Sequence, residues 1–131
     1  MKKKGSRSDF NAQRDAELRQ AFFNQGVYST NDRVIKRTVK TPTSRFWVDP
    51  DRARDIMSRI EKDPTSIKRM NPERQRMYLS LYEKYQKLRR KCPSYSKIEA
   101  VTIAIYSGAP EFFLAPSTAR SIIYNNVYPT Y

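Results

Sequence analysis

Apolar residues along this chain recur at intervals of three and four, the spacing that places them on one face of a helix. Few stretches alternate apolar and polar residues in the way that a half-buried strand requires. Five or six helices are therefore predicted, and their starts carry a capping residue, a first-turn proline or both. We place these starts at Ser8-Asp9, Thr30, Asp49-Pro50, Asn71-Pro72, Ser96 and Pro116. The predicted fold class is all-α.

Glycine and proline mark where these helices end. The ends are expected at about residue 25, before Pro42, at about residues 62 and 91, before Gly108 and at about residue 126. At 131 residues, one compact helical domain over 9–126 is the default, and two small halves sharing a core are the alternative. Residues 1–8 are predicted to be a flexible basic arm and 127–131 an irregular tail.

Two phrases 66 positions apart, SRFWVDPDRARDI and PEFFLAPSTARSI, resemble each other. Residues 42–56 and 108–122 share five identities in fifteen, which exceeds chance, and a capped helix precedes each phrase. The pattern predicts an internal duplication, with repeat units at about 30–62 and 96–126 on either side of a central helix at about 72–91.

Each repeat unit contains an apolar triplet just before its second helix, FWV at 46–48 and FFL at 112–114. Aromatic and branched residues in a row usually fill a core, and this is the interpretation we prefer for both triplets. An exposed platform on which bases stack is one alternative. Pairing of the triplets as two short strands is another.

The formal net charge is +13, from 26 Lys and Arg against 13 Asp and Glu. Such a positive field attracts phosphate-rich partners and points to nucleic acid first, with DNA favoured over RNA. An anionic membrane surface competes weakly, because no segment approaches the roughly 20 apolar residues that span a bilayer. The lysines at 2–4 precede no apolar stretch, so no secretory signal is predicted. A cytoplasmic protein is expected, or a virion-associated one if a phage encodes it.

Histidine is absent and there is one cysteine, Cys92. The chain thus lacks the commonest general base and metal ligand, and it cannot form an internal disulfide or a cysteine-based zinc site. Asp49, Asp51 and Asp55 begin like a calcium loop, but its glycine and closing glutamate are missing, and helix capping explains Asp49 and Asp51. The sequence therefore predicts no enzyme activity, no cofactor and no metal site.

Positive charge is most concentrated between residues 68 and 97, where ten Lys or Arg accompany two Glu. At about 100° per residue the helix at 72–91 is amphipathic. Its apolar stripe is expected to face the core and consists of Met77, Tyr78, Leu81, Tyr82, Tyr85 and Leu88. The residues predicted to contact phosphates, on its outer face and at its ends, are Lys68, Arg69, Arg76, Lys84, Lys87, Arg90, Lys91 and Lys97. A solvated face without a ligand, and a surface for an acidic protein or a membrane, are the alternatives.

The start of the last helix gives a second candidate site. Ser117, Thr118 and Arg120 resemble the opening of a recognition helix, in which small hydroxyls and an arginine read base edges. Two observations weaken this interpretation. The connection at 107–115 has nine residues where a helix-turn-helix expects three or four, and residues 98–131 carry one Arg against two Glu. A helix-turn-helix-like transcription regulator is kept as a narrower alternative.

The phrases TPTSRFWVDPDRARDIM and GAPEFFLAPSTARSII, with NPERQRMYLSLYEKY between them, resemble a set of short basic proteins of gut anaerobes and their phages and mobile elements. The resemblance covers about residues 14–123 and carries no established activity, so it assigns no functional residue. It implies a phage or mobile-element setting, where small nucleic-acid binders and virion components are both common.

The preferred function is a non-enzymatic nucleic-acid-binding protein whose contacts are largely electrostatic. The alternative from another class is a structural or protein-interaction component of a phage virion or mobile element. Such a protein would bind another protein, or further copies of itself, through the repeat surface and the aromatic tail with Tyr124, Tyr128 and Tyr131.

Overall fold

The computed structural model describes residues 6–26 and 31–127. These residues form α1 (Ser6–Asn24), α2 (Asp32–Val39), α3 (Pro50–Lys62), a 3-10 turn (Pro64–Ile67), α4 (Pro72–Lys91), α5 (Lys97–Ile105) and α6 (Pro116–Val127). The all-α prediction is confirmed, and the described residues contain no strand. The alternative in which the two triplets pair as strands is therefore wrong.

Two predicted boundaries change. Helix α1 begins at Ser6, so the last three residues of the predicted arm are helical, because neither proline nor glycine interrupts the chain between Ser6 and Asp9. The N-cap of α2 is Asn31, whose Oδ1 accepts a hydrogen bond from the Val34 amide at 3.0 Å. The predicted cap Thr30, the rest of the arm and most of the predicted tail lie outside the described residues.

The predicted start at Pro116 is where α6 begins, and the other three remaining predicted starts are confirmed by their caps. Asp49 Oδ2 accepts hydrogen bonds from the amides of Asp51 and Arg52, and Asn71 Oδ1 accepts one from the Arg74 amide at 2.9 Å. At α5, the Ser96 hydroxyl accepts from the Glu99 amide, and the Glu99 carboxylate accepts from the Ser96 amide at 2.8 Å. These side chains satisfy amides that the first turn of a helix leaves without a partner.

The chain divides into two compact units, where one helical domain over 9–126 was expected. The central unit is the continuous segment Ser44–Ala109. The terminal unit combines Met1–Thr43 with Pro110–Tyr131. Because the chain enters the central unit after α2 and leaves it before α6, the boundaries of the units cut through both predicted repeats.

In the terminal unit, α1, α2 and α6 pack against one another. Their buried apolar residues are Leu18, Phe22, Val34, Ile35, Val39, Ala119 and Ile123. The buried hydroxyl of Thr38 donates to the Val34 carbonyl at 2.8 Å and accepts from the amide of Gln25, which follows α1. This polar link fixes the end of α1 on the buried face of α2.

In the central unit, α3 packs against α4, α5 and the 3-10 turn, and α4 packs against α5. Its helical core residues are Ala53, Ile56, Met57, Ile60, Met77, Tyr78, Leu81, Tyr85, Ala100, Val101, Ala104 and Ile105. A polar network joins three helices, since Glu61 of α3 pairs with Lys97 of α5 at 3.2 Å and accepts a hydrogen bond from the Tyr85 hydroxyl of α4 at 3.4 Å. The Tyr85 hydroxyl accepts in turn from Arg89 at 3.0 Å.

The triplets lie in irregular segments before α3 and α6. The first triplet is buried throughout, and Phe112 of the second is 3% exposed while Phe113 and Leu114 are half-buried. The core interpretation is thus confirmed for the first triplet and for Phe112. Strand pairing does not occur because the amides of Phe46 and Phe112 donate instead to carbonyls at the ends of helices.

These two hydrogen bonds occupy equivalent repeat positions. In the terminal unit the Phe112 amide donates to the Val39 carbonyl at 2.9 Å, and in the central unit the Phe46 amide donates to the Ile105 carbonyl at 2.9 Å. Both donors and both acceptors are 66 residues apart. In each unit the first helix of one repeat packs against the second helix of the other, α2 with α6 and α5 with α3. The duplication stays a prediction, which this equivalence supports.

Candidate nucleic-acid interface

Helix α4 is held by one buried face. Met77, Tyr78, Leu81 and Tyr85 of the predicted apolar stripe are buried, whereas Tyr82 and Leu88 are half-buried at its edges. Because a helix turns about 100° per residue, burial of this face directs the opposite face to the surface. The predicted orientation of the helix is confirmed.

Seven of the eight predicted phosphate contacts are exposed, but one of these, Lys97, is paired with Glu61 of α3. We name the other six the basic row: Lys68, Arg69, Arg76, Lys87, Arg90 and Lys91. Four of them lie on α4 within about 100° of arc around the helix axis. The 20 residues of α4 rise about 30 Å at 1.5 Å each, and Lys68 and Arg69 precede its first turn. The row therefore offers cations along a length comparable to several phosphates of a duplex strand.

Lys84 and Lys97 are bound within the central unit. The Lys84 ammonium donates to the Ser107 hydroxyl at 3.0 Å and to the Gly108 carbonyl, and it lies 5.6 Å from the Phe46 ring centroid. Lys97 pairs with Glu61 at 3.2 Å. The structure thus places these two ammonium groups on the loop after α5 and on α3, apart from the six cations of the row.

One exposed acid lies within the basic row, since Glu73 in the first turn of α4 is half-buried. Glu83 is exposed, and at 100° per residue it projects between Arg76 and Arg90. Leu79, 49% exposed, lies on the same face. The outer face of α4 is therefore strongly cationic but not uniformly so, and Glu83 provides a position where the local charge can be raised by a single substitution.

The buried tyrosines of α4 remain protonated at neutral pH. Burial raises the pKa of Tyr78 above its ordinary value of 10.0, and the nearby Arg52 opposes this shift without cancelling it. Burial also raises the pKa of Tyr85, with Glu61 adding to the effect. These side chains support the helix as neutral packing groups, and the charge of α4 comes from its outer face.

The candidate base-reading residues lie in the first turns of α6. Ser117 and Thr118 are exposed, while the Arg120 guanidinium is hydrogen-bonded to Asp32 of α2. This hydrogen bond, and then the charge of Arg120, hold the pKa of Asp32 below its ordinary value of 3.8. Helix α5 belongs to the central unit and α6 to the terminal unit, with ten residues between them, so the structure supplies no short turn of the helix-turn-helix kind.

Sequence reasoning missed a second basic surface, on α2. An open surface groove of about 650 Å³ is lined by Gln25, Arg33, Lys36, Arg37, Lys40 and Thr41, and we name it the α2 groove. Its four cations fall at the i, i+3, i+4, i+7 spacing of one helix face. That spacing is readable in the sequence, but the longer run at 68–97 dominates a count of net charge.

Comparison of the chain with protein-family models, with curated proteins and with solved structures returns no match. Within residues 6–26 and 31–127, no helix combines the length and the apolar character needed to cross a bilayer.

Proposed function

We propose that this protein is a non-enzymatic nucleic-acid-binding protein that contacts phosphates through the basic row, with DNA as the favoured ligand. The observation that carries the proposal is the exposure of six cations along α4 and the turn before it, on a helix whose opposite face is buried. An anchored helix holds such cations at fixed spacing, so that little conformational entropy is lost by the backbone on binding.

Binding through such a row is expected to depend steeply on salt. Each phosphate that a cation neutralises releases condensed counterions, and the logarithm of affinity falls by about 0.9 per contact for each decade of salt with duplex DNA. Base edges are not required for this kind of contact. We therefore expect weak sequence preference and a steep salt dependence.

The test is the variant Lys87→Glu/Arg90→Glu/Lys91→Glu, with fluorescence anisotropy on duplex and single-stranded DNA and RNA at several salt concentrations. Loss of three contacts should reduce the salt slope by about 2 to 3 and the affinity by at least tenfold. The matched control is Lys87→Arg/Arg90→Lys/Lys91→Arg, which conserves charge and should bind like the wild type. Unchanged affinity in the glutamate variant would overturn the proposed surface.

A second variant separates loss of binding from loss of folding. Glu83→Gln removes the acid within the row and should raise affinity severalfold, an outcome that an unfolded protein cannot produce. Its control is Asp55→Asn, which changes net charge equally at an exposed position of α3. If both variants raise affinity to the same extent, net charge rather than the basic row is responsible.

The alternative function, a virion or mobile-element component that binds protein through the aromatic tail, stays a prediction. Tyr128 and Tyr131 lie outside the described residues, and Tyr124 on α6 is 46% exposed.

A further inference from the structure

Helix α2 presents cations on one face because its other face is buried. Val34, Ile35, Thr38 and Val39 are all below 4% exposed. The helix cannot rotate without exposing these residues, so the face that carries Arg33, Lys36, Arg37 and Lys40 is fixed towards the groove. The packing of α2 thus fixes the direction in which these four side chains leave the helix.

Gln25 orients the guanidinium of Arg37. The Arg37 Nε–H donates to Gln25 Oε1 at 3.1 Å, and the Gln25 amide nitrogen donates to the Val34 carbonyl and to the Thr38 hydroxyl. Because Nε is occupied, the two terminal nitrogens remain as the donor edge for an anion. A guanidinium with one fixed edge loses less entropy when it binds a phosphate through two hydrogen bonds.

The nearby acids only partly neutralise this face. Asp32, one residue before Arg33, is bonded to Arg120 on α6. Glu111 lies 3.4 Å from Lys40, whose side chain is 61% exposed. Lys36 also helps to lower the pKa of Asp32 by charge attraction, but among the described residues neither Arg33, Lys36 nor Arg37 forms an ion pair within 4 Å, and their charge is available to a ligand.

From these observations we infer that the α2 groove is a phosphate-binding site for the backbone of a nucleic-acid strand. The span from Arg33 to Lys40 is about 10 Å at 1.5 Å per residue, which covers roughly three phosphates of a duplex strand at 3.4 Å each along the axis. The identity of the ligand rests on the proposed function, but the phosphate chemistry does not, because it follows from the guanidinium held by Gln25 and from three cations outside ion pairs.

The first test compares two charge-matched variants in the full chain. Arg33→Glu/Lys36→Glu/Arg37→Glu alters the α2 groove and Lys87→Glu/Arg90→Glu/Lys91→Glu alters the basic row, and each lowers the formal charge from +13 to +7. On a 30-nucleotide strand and a 30-base-pair duplex, the α2 variant should lose at least tenfold in affinity and show a shallower salt slope. An α2 variant that binds like the wild type would overturn the inference while leaving the basic row intact.

A neutral variant tests the role of Gln25. Gln25→Ala keeps every cation but releases the Arg37 guanidinium, so we expect a two- to fivefold loss of affinity with no change in formal charge. The matched control is Gln86→Ala, at an exposed glutamine of α4, which should leave affinity unchanged. Equal affinities of wild type and Gln25→Ala would mean that the groove acts as a diffuse charge and not as a phosphate site. Circular dichroism melts of each variant exclude loss of folding.

Nuclear magnetic resonance with inorganic tripolyphosphate tests the site when nucleic acid is absent. Tripolyphosphate should shift the Arg37 Nε–H and the α2 amides in the wild type and not in the α2 variant. If the wild type binds no nucleic acid, the proposed function fails, and the phosphate site stands only if these shifts occur. If they are absent, or if a short polyglutamate of equal charge produces the same shifts, the inference is wrong.

Discussion

The guanidinium carbon of Arg45 lies 4.5 Å from the ring centroid of Tyr106, and Arg45 Nη1 donates a hydrogen bond to the Tyr106 hydroxyl at 3.0 Å. The same guanidinium donates to the carbonyls of Phe46 and Val48 at 2.9 and 2.8 Å. A buried arginine thus fastens the first triplet to the end of α5. In the terminal unit, the positions related to Tyr106 and Arg45 by 66 residues hold Lys40 and Glu111, whose charged groups lie 3.4 Å apart, so the same pair of sites is joined by different chemistry.

Substitutions at Tyr106 and Arg45 should lower the free energy of unfolding by amounts that follow a defined order. Tyr106→Phe removes one charged hydrogen bond and keeps the ring contact, so we expect a loss of about 1 to 2 kcal/mol in the free energy of unfolding. Tyr106→Ala should cost more because the cation–π contact is also lost. Arg45→Lys keeps the charge but loses the fork that serves three acceptors, and it should cost more than Tyr106→Phe. Urea unfolding measures all three, and a harmless Arg45→Lys would contradict this role.

The pair of Asp32 and Arg120 should make stability depend on pH. Because Arg120 lowers the pKa of Asp32, the contribution is fully present above the ordinary value of 3.8 and is lost as pH falls through the lower pKa of the folded state. Asp32→Asn should therefore reduce the urea midpoint at pH 7 and have a progressively smaller effect as the pH is lowered below 3.8. Arg120→Gln should show the same dependence, and the double variant should be no worse than either single one. Additive losses at pH 7 would show that the pair does not couple.

Two leucines on α4 provide a matched test of its anchoring. Leu81 is fully buried, and Leu81→Ala should cost about 2 to 5 kcal/mol in the free energy of unfolding because it leaves a cavity in the central unit. Leu79 is 49% exposed, and Leu79→Ala should change the same quantity by about 0.5 kcal/mol or less. Thermal or urea unfolding distinguishes the two. Similar losses of stability in the two variants would mean that Leu79 is buried and that the outer face of α4 is not exposed to solvent.

The contribution of the α5 capping box to stability should be measurable with a single substitution. Ser96→Ala leaves the Glu99 amide without its partner and should cost about 1 kcal/mol in the free energy of unfolding. Ser94→Ala, two residues earlier and exposed, is the control and should have little effect. Urea unfolding measures both variants. Equal free energies of unfolding would show that water replaces the hydrogen bond of the cap.

Substitution of Lys84 should mainly lower stability, whereas substitution of Lys87 should mainly lower nucleic-acid affinity. Lys84→Met removes two hydrogen bonds within the central unit and should lower the free energy of unfolding by about 1 to 2 kcal/mol with little change in nucleic-acid affinity. Lys87→Met should leave stability nearly unchanged and reduce the salt slope by about 1. Unfolding curves and anisotropy titrations on both variants provide the comparison, and equal losses of affinity would mean that Lys84 contacts phosphate as the sequence predicted.

Local signals in the sequence predict much of this fold. Asn71-Pro72 and Ser96 begin their helices where capping chemistry places them, and four residues of the predicted apolar stripe are buried as their spacing requires. Lys84 borders that stripe, and whether such a residue points to solvent or to Gly108 depends on a loop 24 residues away. Periodicity shows which face is buried but not which helix covers it, so the pairing of α2 with α6 and of α5 with α3 could not be read in advance.

The division into units also sets an order of events during synthesis. The central unit is complete once Ala109 has left the ribosome. Helix α2 precedes this unit but packs against α6, which is synthesised after it. From Val39 to Pro116 the ribosome adds 77 residues, about 4 to 15 s at 5 to 20 residues per second. During that interval the apolar faces of α1 and α2 lack α6. The nascent chain therefore carries an incomplete helical layer throughout the synthesis of the central unit, until α6 follows it.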